Sequence, residues 1–211
     1  MPTIEDFRST GRGARILAVA AVVAVLGGAL AILVGLVAAP GSWLRGYVSE
    51  AGVAGLPLAG VYRAGFATLA IGVACLGLSR RRRLVAVTLL VAALFCGTAG
   101  AVPCTGGCPL PPFEVTSAGD VVHAAAAILG MVALAGAMVA SWWTAGDRVA
   151  RRLSGVAAAL TVPLGGALGL TMLFAGRVPL GAILERVLLV LAVTWLIGAA
   201  CVTALRVDPS P

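Results

Sequence analysis

Charge is scarce in this sequence. Only 11% of its 211 residues are charged, while 61% are hydrophobic, and the mean hydropathy is +1.08. Soluble domains carry about 25% charged residues, so a water-solvated surface is excluded and the bilayer must act as solvent. Histidine is scarcer still, with His123 the single example. Catalytic zinc normally takes three protein ligands, most often histidine, and a bis-histidine haem needs two. Neither fits, and no metal or cofactor is expected. The 28 glycines are scattered through apolar runs, with no phosphate-cradling loop and no Gly-x-Ser-x-Gly elbow.

What charge there is leans one way. The net charge is +7, all fifteen basic residues are arginine, and the isoelectric point is about 10.1. In a soluble protein this balance would suggest nucleic acid. Here no aromatic residues interleave with the arginines as a stacking platform requires, and most arginines lie between apolar runs. They read as topology signals facing anionic lipid, and no nucleic-acid partner is expected.

A membrane helix needs roughly 20 mostly apolar residues, and six such runs are present, at about 16–39, 61–79, 84–102, 121–143, 153–175 and 182–205. The expected fold is therefore all-α: one polytopic bundle of six transmembrane helices over 16–205, between a polar segment, 1–15, and a tail, 206–211. The first run is too long for the 7–15-residue core of a signal peptide, so it reads as a retained span. Trp43 and Tyr47 suit an interfacial belt. In the fifth run, Pro163 is tolerable if neighbouring helices satisfy the freed carbonyl, and Gly165-xxx-Gly169 would let two backbones approach.

With the N-terminus inside, Arg8, Arg12, Arg15, Arg80 to Arg83, Arg148, Arg151, Arg152 and Arg206 face the cytoplasm. Only Arg45, Arg63, Arg177 and Arg186 face outward. The excess of arginine on one side predicts cytoplasmic termini in a multi-pass plasma-membrane protein. Glu50, Glu114, Asp120 and Glu185 then also lie outward, level in number with the arginines there. Ions without partners are costly at membrane depth, which implies a paired polar cluster under the outer surface.

Cys104 and Cys108 share that side, with Thr105, Gly106 and Gly107 between them. Disulfides persist outside the cytoplasm, and a structural bridge pinning the loop is the favoured reading. Thiol–disulfide exchange is the alternative, but it usually runs on Cys-x-x-Cys with a low-pKa thiol, and no second outward pair is available. Cys75, Cys96 and Cys201 lie inside apolar runs as small packing residues.

Asp120 and His123 are three apart and so share a helix face, an arrangement that can orient a general base. Alternatively Asp120 caps the helix and His123 bonds to a connection. In the first outer connection Ser49 is a candidate nucleophile and Glu50 a candidate acid. The bland version makes Ser49 an N-cap and pairs Glu50 with Arg45 or Arg63. Tyr47, Arg63, Glu185 and Arg186 are candidate ligand-binding groups: Glu185 and Arg186 would hold a lipid phosphate, or merely pair with Asp120.

The run holding Tyr47, Ser49, Glu50 and Gly52 resembles the first outer connection of the DUF998 family of six-span bacterial membrane proteins, with Ala51 where leucine is usual. The family's second signature, a proline-containing loop before a histidine opening the fourth span, is matched by Pro103-Cys104, Cys108-Pro109 and Asp120-Val-Val-His123. The resemblance covers roughly residues 14 to 205. Many members carry an acidic residue soon after the loop proline, where this chain has its cysteine pair. The family's function is unassigned, so the resemblance implies the six-span fold and no reaction.

Three functions compete. An outer-leaflet site could bind a lipid headgroup or small polar substrate, with Asp120, His123, Ser49 and Glu50 doing acid–base or hydrolytic work; it requires the two outer connections to converge and His123 to reach a carboxylate. A non-enzymatic subunit would bind a membrane protein through spans rich in glycine and alanine. A transporter is disfavoured because no charge lies near mid-span and no inverted repeat is apparent.

Overall fold

A computed structural model describes residues 11–40 and 46–206. Segments 1–10, 41–45 and 207–211 lie outside the described residues, and with them Trp43, Arg45 and most of both polar ends. Among the described residues there are six long helices and no strand: α1 (Gly11–Ala38), α2 (Ala59–Leu78), α3 (Arg83–Ala101), α4 (Ala118–Thr144), α5 (Arg148–Ala175) and α6 (Pro179–Arg206). A short 3-10 turn, Val48–Gly52, precedes α2. All six helices are long and apolar enough to cross a membrane. The longer ones, at about 1.5 Å per residue, outreach a hydrocarbon core of about 30 Å.

Helix α5 starts five residues before its apolar run and takes in Arg148, Arg151 and Arg152. Asp147 N-caps it by accepting from the Ala150 amide at 2.7 Å. A cap and intrahelical hydrogen bonds extend a helix beyond its apolar stretch, and arginine can snorkel from such an end to the interface. The helix also runs unbroken through Pro163.

Consecutive helices pack side by side and α6 returns against α1, closing a ring. Trp195, Leu76, Leu89, Met138, Leu196 and Val25 are the largest fully buried side chains. Large apolar residues such as Val23, Leu30, Leu94, Val132 and Val190 point outward. That outward Leu and Val surface fits lipid rather than water. Trp142 and Trp143 are exposed at the end of α4, where an aromatic belt belongs. Tyr47 is not part of such a belt, being only 4% exposed.

Close packing falls at glycines other than those expected. A Cβ on Gly28 would meet the Gly65 carbonyl oxygen and the Leu69 amide nitrogen at 2.7 Å. Gly35 faces Tyr62, and Gly72 faces Val25. Gly28 and Gly35, like Gly65 and Gly72, are seven apart, so α1 and α2 meet along matched stripes of small residues. Among the described residues, Gly165, Gly166 and Gly169 have no neighbour within 4 Å of an added Cβ. The expected close approach on α5 is therefore not made within the bundle. Since alanine is the better helix former by roughly 1 kcal/mol, Gly166→Ala is expected to leave the melting temperature in detergent unchanged or slightly raised.

Hairpin alternation gathers the polar groups at two ends. The cysteine end holds the connections around 46–58, 102–117 and 176–178. The arginine end holds the start of α1, the Arg80–Arg82 turn, the α4–α5 connection and the end of α6.

Candidate functional site

At the cysteine end, α4 begins with a reciprocal cap. Ser117 is the N-cap and Asp120 the third helical residue. The Asp120 amide donates to Ser117 Oγ at 3.2 Å, and the Ser117 amide donates to Asp120 Oδ2 at 2.7 Å. This is the capping-box pattern, with a carboxylate in the first turn where the helix dipole favours it. Asp120 is buried and takes further bonds from Ser117 Oγ at 2.7 Å, the Thr105 amide at 2.6 Å and Thr105 Oγ1 at 3.0 Å. One carboxylate thus ties the cysteine loop to the start of α4.

His123 is also buried but turns elsewhere. Its Nδ1 lies 2.9 Å from the Ala99 carbonyl oxygen and 2.8 Å from that of Val102. Two acceptors on one ring nitrogen require that Nδ1 carry the proton and donate. The imidazole therefore caps the C-terminal end of α3, whose last carbonyls lack helical partners. Asp120 and His123 share a face, yet no hydrogen bond joins them. Of the two readings of this pair, the geometry is that of a cap and a histidine bonded to another element, and no carboxylate-oriented base is assembled.

The other candidates are redistributed as well. Glu50 Oε1 accepts from Arg177 Nη2 at 2.7 Å and from the Tyr47 amide at 2.9 Å, so its partner is not Arg63; the alternative, Arg45, lies outside the described residues. Arg63 donates instead to the Gly100 and Ala101 carbonyls at 3.2 and 3.0 Å, a second cap on α3. It borders a shallow groove of about 320 Å³ between α2 and α3. Glu185 accepts from the Val48 amide at 2.6 Å and sits under the 3-10 turn, and the pairing of this Glu185–Arg186 segment with Asp120 is not made. Arg186 donates to the Gly46 and Ala182 carbonyls at 2.9 and 2.8 Å.

Ser49 is not an N-cap, since Tyr47 holds that position and Ser49 lies inside the turn. Its carbonyl oxygen is 3.9 Å from Cys104 Sγ. The Tyr47 hydroxyl is buried with no partner among the described residues and packs against Gly181. Burial pushes this phenol above its ordinary range, and Glu185 adds to the shift. The sulfurs of Cys104 and Cys108 lie at bonding distance with Cα atoms 5.0 Å apart, within the span a disulfide bridges.

Arg177 organises this end, and reading the sequence did not single it out. Besides Glu50 it reaches Glu114 at 3.5 Å, so one guanidinium joins three connections. Gly107, at φ +84°, lets it lie flat: a Cβ there would meet Arg177 Nη1 at 2.8 Å. The signal available was that Arg177 sits in a short turn between spans, where its head can reach both neighbouring loops. Among the described residues no three of His, Cys, Asp and Glu gather as metal ligands.

The match to known proteins bears on this fold directly. A family described as proteins of unknown function, DUF998, matches residues 10–202. The chain belongs to the DUF998 family. No curated protein and no solved structure matches it. The two segments that carry the resemblance meet here: the Tyr47–Gly52 turn contacts the cysteine loop, and the loop is fixed to the start of α4 by Asp120. In this member the segments make one cap over the bundle.

Proposed function

We propose that this DUF998 protein is a non-catalytic membrane subunit that binds a partner protein within the bilayer. Its arginine end faces the cytoplasm of a plasma-membrane bundle, and its cysteine end is a hydrogen-bonded scaffold. The carrying observation is that Asp120 and His123 serve different elements. Asp120 holds the cysteine loop, and His123 donates into the end of α3. A hydrolytic reading needs a free base beside Ser49, and the neighbouring carboxylate is engaged by Arg177 and the Tyr47 amide. Headgroup binding at this end is disfavoured because Arg177 sits between two carboxylates and offers little net attraction to phosphate. The unpacked Gly165, Gly166 and Gly169 face of α5 supports partner binding, since a second helix would gain close backbone contact there.

Three changes at His123 separate scaffold from base. The amide nitrogen of asparagine sits near the position of Nδ1, whereas that of glutamine does not. His123→Asn is expected to keep the melting temperature and to rescue a strain lacking the gene. His123→Ala and His123→Gln should each lose about 1–3 kcal/mol, the cost of orphaning a buried partner. If all three were equally inactive at wild-type abundance and stability, His123 would be a catalytic group and the proposal would fail.

A further inference from the structure

At the arginine end, two buried polar groups without a partner among the described residues, Arg80 Nε and Ser141 Oγ, line one cavity. A cavity of about 610 Å³ opens there, walled by the start of α1, the α2–α3 turn, the end of α4, the first turns of α5 and the end of α6. That volume falls in the range of small-ligand sites. Arg80 lines it, with Nη2 donating to the Ala199 carbonyl at 3.0 Å. Among the described residues its Nε is buried without a partner, and no carboxylate pairs with it. Desolvation lowers this guanidinium to about 10, which leaves it charged at neutral pH. A desolvated cation without a counter-ion is costly until an anion arrives.

Ser141, on the α4 wall, is 8% exposed, and its Oγ is likewise buried and unpartnered among the described residues. The neighbouring hydroxyls are engaged: Ser79 donates to the Leu76 carbonyl, Ser154 accepts from Trp195 Nε1, and Thr144 and Thr203 donate to carbonyls on their own helices. The carboxylate on this wall, Asp147, caps α5. Arg81 and Arg82 are exposed residues of the same lining. The N-terminus of α5 adds the positive end of a helix dipole.

We propose that this cavity is a binding site for a phosphate-bearing anion, with Arg80 Nε and Ser141 Oγ as its fixed donors and Arg81 and Arg82 at its edge. It goes beyond the partner-binding reading and holds whether or not that reading does. Two sources share the chemistry: the headgroup of an anionic phospholipid in the adjoining leaflet, and a soluble phosphate ester.

The test uses the purified full-length chain in neutral detergent, titrated with phosphatidylglycerol, phosphatidylcholine or glycerol 3-phosphate and followed by thermal shift and native mass spectrometry. Phosphatidylglycerol is expected to bind and raise the melting temperature, and phosphatidylcholine is not. If glycerol 3-phosphate reproduces the shift, the source is soluble; if only the lipid does, it is the headgroup. Arg80→Lys keeps the charge but loses the Nε donor, and is expected to bind about tenfold more weakly, as for loss of one charge-assisted hydrogen bond. Ser141→Ala should melt like wild type without ligand, because the hydroxyl it removes has no partner, yet bind several-fold more weakly. Arg177→Gln, at the other end, should keep wild-type affinity. Equal binding of the two lipids, unchanged affinity in both Arg80→Lys and Ser141→Ala, or an equal loss in Arg177→Gln would each overturn the assignment.

Discussion

Asp120→Ala is expected to destabilise the folded bundle by roughly 3 kcal/mol or more, since hydrogen bonds to a charged group contribute about 1.5–3 kcal/mol each and do not add fully. The carboxylate is 3% exposed and accepts from both amide and hydroxyl of Thr105 and of Ser117. Its removal frees the cysteine loop and strips α4 of its cap in one step. Glu114→Gln is the matched control. Its ion pair to Arg177 is 3.5 Å long and 38% exposed on the Glu114 side, so the loss should stay under about 1 kcal/mol. Thermal melting in detergent, with reversible denaturant unfolding where it can be reached, measures both. A similar loss from the two variants would remove Asp120 from its place as the tie of this end.

Gly28→Ala is expected to be the costliest single-methyl insertion in the spans, at about 1–3 kcal/mol. The new Cβ would fall 2.7 Å from the Gly65 carbonyl oxygen and 2.7 Å from the Leu69 amide nitrogen. Both are backbone atoms, so no side-chain rotation relieves the clash and α1 must move away from α2. Gly27→Ala, one residue earlier with nothing within 4 Å, is the control and should be neutral or mildly stabilising. Comparing their melting temperatures reads the α1–α2 contact directly. Equal behaviour would mean that the two helices do not approach at Gly28.

These two sites also show what could be read from the residues alone. The six spans were legible because an apolar run of about 20 residues has few alternatives to a membrane helix. Asp120 as a cap at the start of a span was legible too, since a carboxylate in a helical first turn has a local cause, though Ser117, its reciprocal partner, was not singled out. The direction of His123 was not, because Ala99 and Val102 belong to another helix. Nor was the choice of Arg177 for Glu50 at a separation of 127 residues, since outward arginines are alike in sequence. Gly165-xxx-Gly169 misled for a related reason. Spacing shows that small residues share a face, while the burial of that face depends on neighbours. The seven-residue spacings Gly28–Gly35 and Gly65–Gly72 carry the same ambiguity and happen to face inward.

The lone histidine makes the central claim, that the cysteine end is a scaffold and not an assembled base, measurable without mutation. In proteoliposomes of the wild-type chain, nitrogen-15 histidine labelling yields a single imidazole, and dipolar recoupling can locate the carbon nearest its protonated nitrogen. The account predicts a protonated Nδ1 that recouples with backbone carbonyl carbon in alanine- and valine-labelled samples, from Ala99 and Val102. Recoupling of that nitrogen to an aspartate side-chain carboxyl carbon would contradict it.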